Sequence, residues 1–295
     1  MTSLSHDFLK RCEAVEPIAR RCWASSLLGV RRDRGPVLAA THSSGQADYA
    51  TGDDYRYVDW NRAARLDELV SRQHRGVETG VVELVLDRSA SMTIGLPTKF
   101  AFAQQLAAAL GYFALAAGRN VRVASPERND AGATFHGGRN AAALIHAVEA
   151  LSPSNDKATL KPELISVARR LRRGDIAVVL SDLLNPEGLI PLIAPLARPA
   201  EQLLIVQVLA AEDIDPRCLH RVRLCDVESG SALAMELEEE DLATYREAAA
   251  EFCRGLRRDC LVRGIALVQL RTDAGFDLAL EHLIQVAAMH AARQN

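Results

Sequence analysis

Four short apolar runs dictate what this chain can become: Val81 to Leu86 (VVELVL), Ile176 to Leu180, Leu203 to Leu209 (LLIVQVL) and Ile265 to Leu270. Each is the length of a strand and is apolar at nearly every position rather than at alternate ones. Such strands need cover on both faces. Helix-length segments lie between them: about Thr98 to Ala117, Ala141 to Leu151, Leu160 to Arg172, Gly188 to Ala197, Glu238 to Val262 and Phe276 to Ala288. Asn120 to Ala124 and Gly132 to Phe135 add two further strands. Strands alternating with helices predict an α/β, Rossmann-like domain, its central, mostly parallel sheet carrying helices on both faces. Cys218 to Leu237 stands apart, as two short strands around the turn-like Glu228-Ser229-Gly230.

Upstream the grammar changes. From Ser5, the residues Phe8, Leu9, Cys12, Val15, Ala19, Cys22, Trp23 and Leu27 recur at helical spacing, which predicts an amphipathic helix that docks on something. Gly29 to Asp59 then loses all periodicity among Gly, Pro, Ser, Asp and Arg. The expected division is therefore an N-terminal helix and extended segment, 1–79, before an α/β domain, 80–295.

Composition removes several function classes. With 35 basic and 38 acidic residues the net charge is −3, which provides no field for nucleic acid or an anionic membrane. The runs Arg169 to Arg173 and Arg254 to Arg263 fall on expected helices with acidic neighbours and read as solvated faces. Ala101 to Gly118 is apolar apart from Gln104 and Gln105 but short and Ala-rich, a buried helix rather than a membrane crossing, which needs about 20 strongly apolar residues. No secretory signal is visible, so the six cysteines read as free thiols and the expected location is cytoplasmic. The pairs Cys218/Cys225 and Cys253/Cys260 are too widely spaced for the usual zinc motifs.

In a parallel sheet, ligands bind beyond the carboxyl ends of the strands. Two apolar runs stop there at a carboxylate: VVELVL at Asp87-Arg88-Ser89-Ala90-Ser91, and Val178-Val179-Leu180 at Ser181-Asp182. A carboxylate followed by hydroxyls at alternate positions supplies hard oxygen ligands, suited to Mg²⁺ or to Mn²⁺ or Ca²⁺. The competing structural reading is a strand-end turn whose Asp and Ser cap backbone amides. A Mg²⁺-dependent phosphohydrolase with Asp87 as nucleophile is a further alternative, but the haloacid-dehalogenase pattern places an acidic residue where this chain has Ser89.

DRSASM, with Thr159 downstream and Asp182 after VVLS, resembles the metal-ion-dependent adhesion site of von Willebrand factor A domains. The resemblance implies that Ser89 and Ser91 ligate the metal directly, Thr159 directly or through water, and Asp87 and Asp182 mainly through water. A partner's carboxylate would fill the open position. Upstream, Gly52-Asp53-Asp54-Tyr55-Arg56-Tyr57-Val58-Asp59-Trp60 with Ala64-Arg65 looks like the signature of a bacterial family catalogued as domain of unknown function 58. Glu212-Asp213 through Pro216, Tyr245 and Leu270-Arg271-Thr272 extend that similarity. Its members are commonly encoded beside MoxR-type AAA+ ATPases, so the resemblance implies a non-enzymatic scaffold or adhesion protein working with such an ATPase. Asp53, Asp54, Arg56, Asp59 and Arg65 read as an ion-paired clasp, with Trp60 as a core anchor. Where the family pattern has glycines before its Thr, this chain has Lys157-Ala158-Thr159-Leu160, and Arg88 stands between the ligands. Either cation could replace the metal and leave a constitutive, metal-free scaffold.

Overall fold

The computed structural model describes residues 6–23, 46–48, 70–72, 80–124, 133–154, 160–172, 174–184, 188–196, 200, 202–218 and 220–294. The chain divides into a unit of residues 1–30 and 80–295 and a unit of residues 31–79. Within the smaller unit, β1 (Gln46–Asp48) pairs antiparallel with β2 (Val70–Arg72), Gln46 opposite Arg72. Asp53, Asp54, Arg56, Asp59, Trp60 and Arg65 lie outside the described residues, as do Lys157 and Thr159.

The larger unit opens with α1 (His6–Trp23), followed after the smaller unit by β3 (Val81–Leu86), α2 (Lys99–Ala116), β4 (Asn120–Val123) and β5 (Thr134–Phe135). Next come α3 (Ala141–Glu149), α4 (Leu160–Arg170), β6 (Ile176–Ser181), α5 (Leu189–Ile193), β7 (Gln202–Leu209) and α6 (Ala211–Ile214). The hairpin β8 (His220–Cys225) and β9 (Ala232–Leu237), α7 (Glu239–Val262), β10 (Ala266–Arg271) and α8 (Phe276–Gln294) complete it. The six-stranded sheet runs β5-β4-β3-β6-β7-β10, parallel except for the edge strand β5. Counted along the chain this is the 3-2-1-4-5-6 order of a doubly wound sheet, and the Rossmann-like expectation holds.

Alternation along the strands builds two cores. Val82, Leu84 and Leu86 of β3, with Val178 and Leu180 of β6, face α1, α2, α3 and α8. Val85, Ala177, Val179 and Ile205 face α4, α5 and α7. That two-sided burial explains why the strands read as continuous apolar runs. Helix α2 is buried nearly all round, and it meets α3 so closely that a Cβ on Gly111 would stand 2.5 Å from Leu144 Cδ2. The expected docking of the first helix is met within its own unit: the Phe8 ring packs tilted against Phe276 with centroids 5.6 Å apart, and Arg11 pairs with Asp277 at 2.7 Å.

One charge sits inside the sheet. Glu83 of β3 is fully buried on the α4 face, directly opposite Arg122 of β4, which ion-pairs with it. Arg170 of α4 completes the cluster, its Nε and Nη2 donating to the two carboxylate oxygens at 3.1 and 2.9 Å. A bidentate arginine and a second guanidinium compensate the carboxylate's loss of water.

The helix expected over Gly188 to Ala197 is shorter, because Pro195 lacks an N–H and disfavours helical backbone at Ala194. The closing helix runs past Ala288 to Gln294, with no Gly or Pro to stop it. Among the described residues, no helix is long and apolar enough to cross a membrane.

Candidate metal centre at the strand ends

Strands β3 and β6 are neighbours at the point where the strand order reverses, and their carboxyl ends open the crevice in which doubly wound folds bind ligands. Asp87 and Asp182 leave the sheet there. The Asp87 amide still donates to Leu180 O at 2.8 Å, so the ladder fixes the first residue of the loop.

Asp87 is 4% exposed. Its Oδ1 accepts from the Ser89 amide at 2.9 Å, and its Oδ2 accepts from Ser181 Oγ at 2.5 Å. Burial pushes the Asp87 carboxyl up from its ordinary range, the hydrogen bonds from Ser181 and Ser89 pull it down, and the nearby Asp182 adds to the upward shift. The turn expected by the structural reading is therefore real. It also brings Ser89 Oγ and Ser91 Oγ to 3.1 Å from each other. Adjacent ligands of an octahedral Mg²⁺ at 2.0–2.1 Å would stand about 2.9 Å apart, so the hydroxyl pair fits two such positions. Among the described residues, no group of three His, Cys, Asp or Glu side chains is arranged to hold a metal. A cation here depends on serine oxygens.

Asp182 has a partner that the sequence reading missed. Lys99, in the first turn of α2 and fully buried, places Nζ 2.8 Å from Asp182 Oδ2 and 2.9 Å from Asp213 Oδ2. Burial opposes the ammonium's charge, but the two carboxylates outweigh it and raise the lysine pKa. Asp213 is held in turn by the Ala210 amide at 2.8 Å, while Tyr245 Oη donates to the Asp213 carbonyl at 3.0 Å. Buried amides tie the same strand end to its neighbours: Gln207 Nε2 donates to Asp182 O at 3.0 Å, and Gln269 Nε2 donates to Gln207 Oε1 at 2.8 Å. A lone lysine opening an otherwise apolar helix was the available signal for Lys99.

Arg88 is buried, and its Nε donates to Ser152 O at 2.5 Å while its carbonyl accepts from the Ser154 amide at 2.7 Å. The cation on Asp182 is thus Lys99. Behind the loop, Glu163 of α4 is buried with neither carboxylate oxygen hydrogen-bonded. Burial pushes its pKa up to about 7, Asp87 adds to that, and Arg88 and Arg170 partly offset it.

A second missed residue comes from the hairpin. Glu228, in the turn between β8 and β9, accepts a hydrogen bond at Oε1 from the Ser91 amide at 2.8 Å. Across the crevice, Gly95 has φ +98°, and a Cβ there would meet Ala210 Cβ at 2.9 Å. The loop bearing the serines therefore lies close against the end of β7.

Over residues 46–253 the sequence matches the family described as "Protein of unknown function DUF58". It is 29% identical over 235 residues to uncharacterized proteins of Mycobacterium tuberculosis and Mycobacterium bovis, spanning 76% of this chain and 73% of theirs. Among solved structures it is similar to a conserved hypothetical protein, BatB, from Bacteroides thetaiotaomicron, at 15% identity and TM-score 0.42, covering 72% of this chain and 99% of that one. It is also similar to a von Willebrand factor type A protein from Catenulispora acidiphila, at 13% identity and TM-score 0.41, covering 75% of this chain and 44% of that one.

Proposed function

We propose that this chain, which belongs to the DUF58 family, is a non-enzymatic protein-binding module of von Willebrand factor A type whose strand-end site holds a divalent cation and docks a partner carboxylate. The carrying observation is the pair of serine hydroxyls 3.1 Å apart at the switch point of the sheet, backed by Asp87. Charge agrees with it: Asp87, Asp182, Asp213 and Glu228 gather four carboxylates at the strand ends, against the cations of Lys99 and Arg88. An excess of carboxylates beside neutral hydroxyls suits Mg²⁺, with Mn²⁺ and Ca²⁺ as weaker matches to a small, water-rich site. Ser89 and Ser91 would ligate directly; Asp87 and Asp182 would act through water, with Thr159 as a further oxygen ligand.

Docking rather than hydrolysis fits Asp87, whose two oxygens both accept hydrogen bonds and which is buried behind the serines. The proposed partner is a MoxR-type AAA+ ATPase, or a protein that ATPase remodels, met in the cytoplasm. A second reading has one specific observation in its favour: Lys99 already neutralises Asp182, so the same architecture could serve as a metal-free scaffold.

Calorimetry separates the two. The first reading expects one Mg²⁺ or Mn²⁺ per chain, a thermal stability that rises with the ion by mass action, and loss of both in Ser89→Ala/Ser91→Ala. It also expects partner capture to fail in EDTA. Absence of Mg²⁺ and Mn²⁺ binding, with capture indifferent to EDTA, would leave the metal-free scaffold standing.

A further inference from the structure

The hairpin β8–β9 pairs with itself in a two-stranded sheet of its own, apart from the main sheet. Four of its apolar residues, Leu224, Val227, Leu233 and Met235, are exposed, and only Val222 and Leu237 at its base are half-buried. An element with so little buried surface opens at low free-energy cost. Its turn, however, is tightly made. Asp226 O accepts from the Gly230 amide and the Asp226 amide donates to Ser231 O, both at 2.8 Å; Asp226 Oδ1 accepts from the Glu228 amide at 3.0 Å, and Ser229 Oγ bonds Asp226 Oδ2. A loosely attached arm with an ordered tip thus presents one side chain, Glu228, to the body of the protein. Glu228 is half-buried where Val227 and Ser229 beside it are exposed, and its Oε1 sits 2.8 Å from the amide of Ser91, 137 residues away in the chain.

That bond caps an amide in the first turn of a short helix, which a neutral oxygen would do as well, so capping alone does not call for a charge. Ser91 belongs to the short turn Ala90–Thr93, and its hydroxyl is one of the two oxygens that fit a cation. The carboxylate is thus held on the backbone of the residue that bears that hydroxyl, so a small movement of the arm would carry it to the same ion. Carboxylate oxygen is also the ligand type for which a hard dication with two neutral hydroxyls has most need.

We infer that Glu228 is a tethered ligand: in the free protein the hairpin delivers its carboxylate to the cation at the position a partner's carboxylate would take. Partner docking is then an exchange of one carboxylate for another, and the hairpin swings away as it happens. The inference rests on the metal-site reading above. It adds a ligand from outside the strand-end loops and a self-occupied resting state.

The test uses the full chain and Mn²⁺, followed by calorimetry and by water-proton relaxation, which reports the waters on the bound ion. Glu228→Gln keeps the turn and its size but removes the anionic ligand; Glu236→Gln, on exposed β9 of the same hairpin, is the control. Expected for Glu228→Gln is about a tenfold loss of Mn²⁺ affinity, together with a relaxation enhancement raised by one additional coordinated water. Acetate should lower that enhancement in Glu228→Gln and leave wild type unchanged, because only the variant has the position free. Unchanged affinity and relaxation in Glu228→Gln, with Mn²⁺ binding abolished in Ser89→Ala/Ser91→Ala, would overturn the role of Glu228 and leave the metal site intact. A wild-type chain that binds no Mn²⁺ would overturn both.

Discussion

Glu163→Gln is expected to stabilise the protein, and only above mildly acidic pH. Glu163 lies in the first turn of α4, 6% exposed, with both carboxylate oxygens lacking hydrogen-bond partners, and its pKa is pushed from 4.5 up to about 7. Between those two values the folded protein holds a proton that the unfolded chain has released. Stability therefore falls as pH rises from about 4.5 to about 7 and levels off beyond. The interval corresponds to about 3 kcal/mol. Glutamine has no proton to lose and keeps the shape of the neutral acid, so the variant escapes that loss. At pH 8 it should exceed wild type by about 3 kcal/mol, or about 6 °C in Tm for a chain of this size. At pH 4.5 the two should nearly coincide. Scanning calorimetry from pH 4.5 to 8.5 in EDTA measures the gap without interference from bound ions. A gap that stays constant with pH, or that closes as pH rises, would refute the assignment of the buried proton to Glu163. Asp87 is one of the groups raising this pKa, so saturating Mg²⁺ beside Asp87 should lower it and narrow the gap at neutral pH.

Lys99→Met should cost about 3–5 kcal/mol, measured by urea unfolding at pH 7, because it leaves Asp182 and Asp213 buried without their cation; acidification to pH 4 should recover part of that loss as the carboxylates protonate. Glu83→Gln should cost a similar amount by stranding Arg122 and Arg170, and a urea midpoint equal to wild type would contradict the buried cluster. Gly95→Ala combines a φ of +98° with a 2.9 Å approach to Ala210, and a loss of about 1–3 kcal/mol is expected from thermal melts. If the serine loop is set by that approach, the same variant also weakens Mn²⁺ binding.

The main sheet was legible because burial on both faces leaves a strand few polar positions: β3, β6, β7 and β10 all read as apolar runs. Asp87, Ser89, Ser91 and Asp182 were legible for a related reason. Each lies within a few residues of the end of such a run, so strand ends could be read as changes from apolar to polar. What stayed hidden depends on contacts between distant parts of the chain. Lys99 reads as an ordinary helix-opening residue until α2 packs its ammonium against Asp182 and Asp213. Glu228 reads as a turn residue, since nothing local to Glu228-Ser229-Gly230 says that the hairpin reaches Ser91. Ser181 reads only as the residue before Asp182, although its hydroxyl holds Asp87. Thr159, the fifth ligand expected from the resemblance, lies outside the described residues.

Glu83 bears on how the sheet finds its alignment. Side chains alternate along a strand, so a slip of β3 by one residue would turn every apolar side chain to the opposite core and find apolar surroundings there too. Hydrophobicity alone hardly distinguishes the two alignments. The carboxylate does, because a slipped β3 would carry it into the core formed by α2, α3 and α8, away from Arg122 and from Arg170 on α4. A single charge in the middle of a greasy strand thereby acts as an index mark, penalising misaligned sheets by the cost of an uncompensated buried ion.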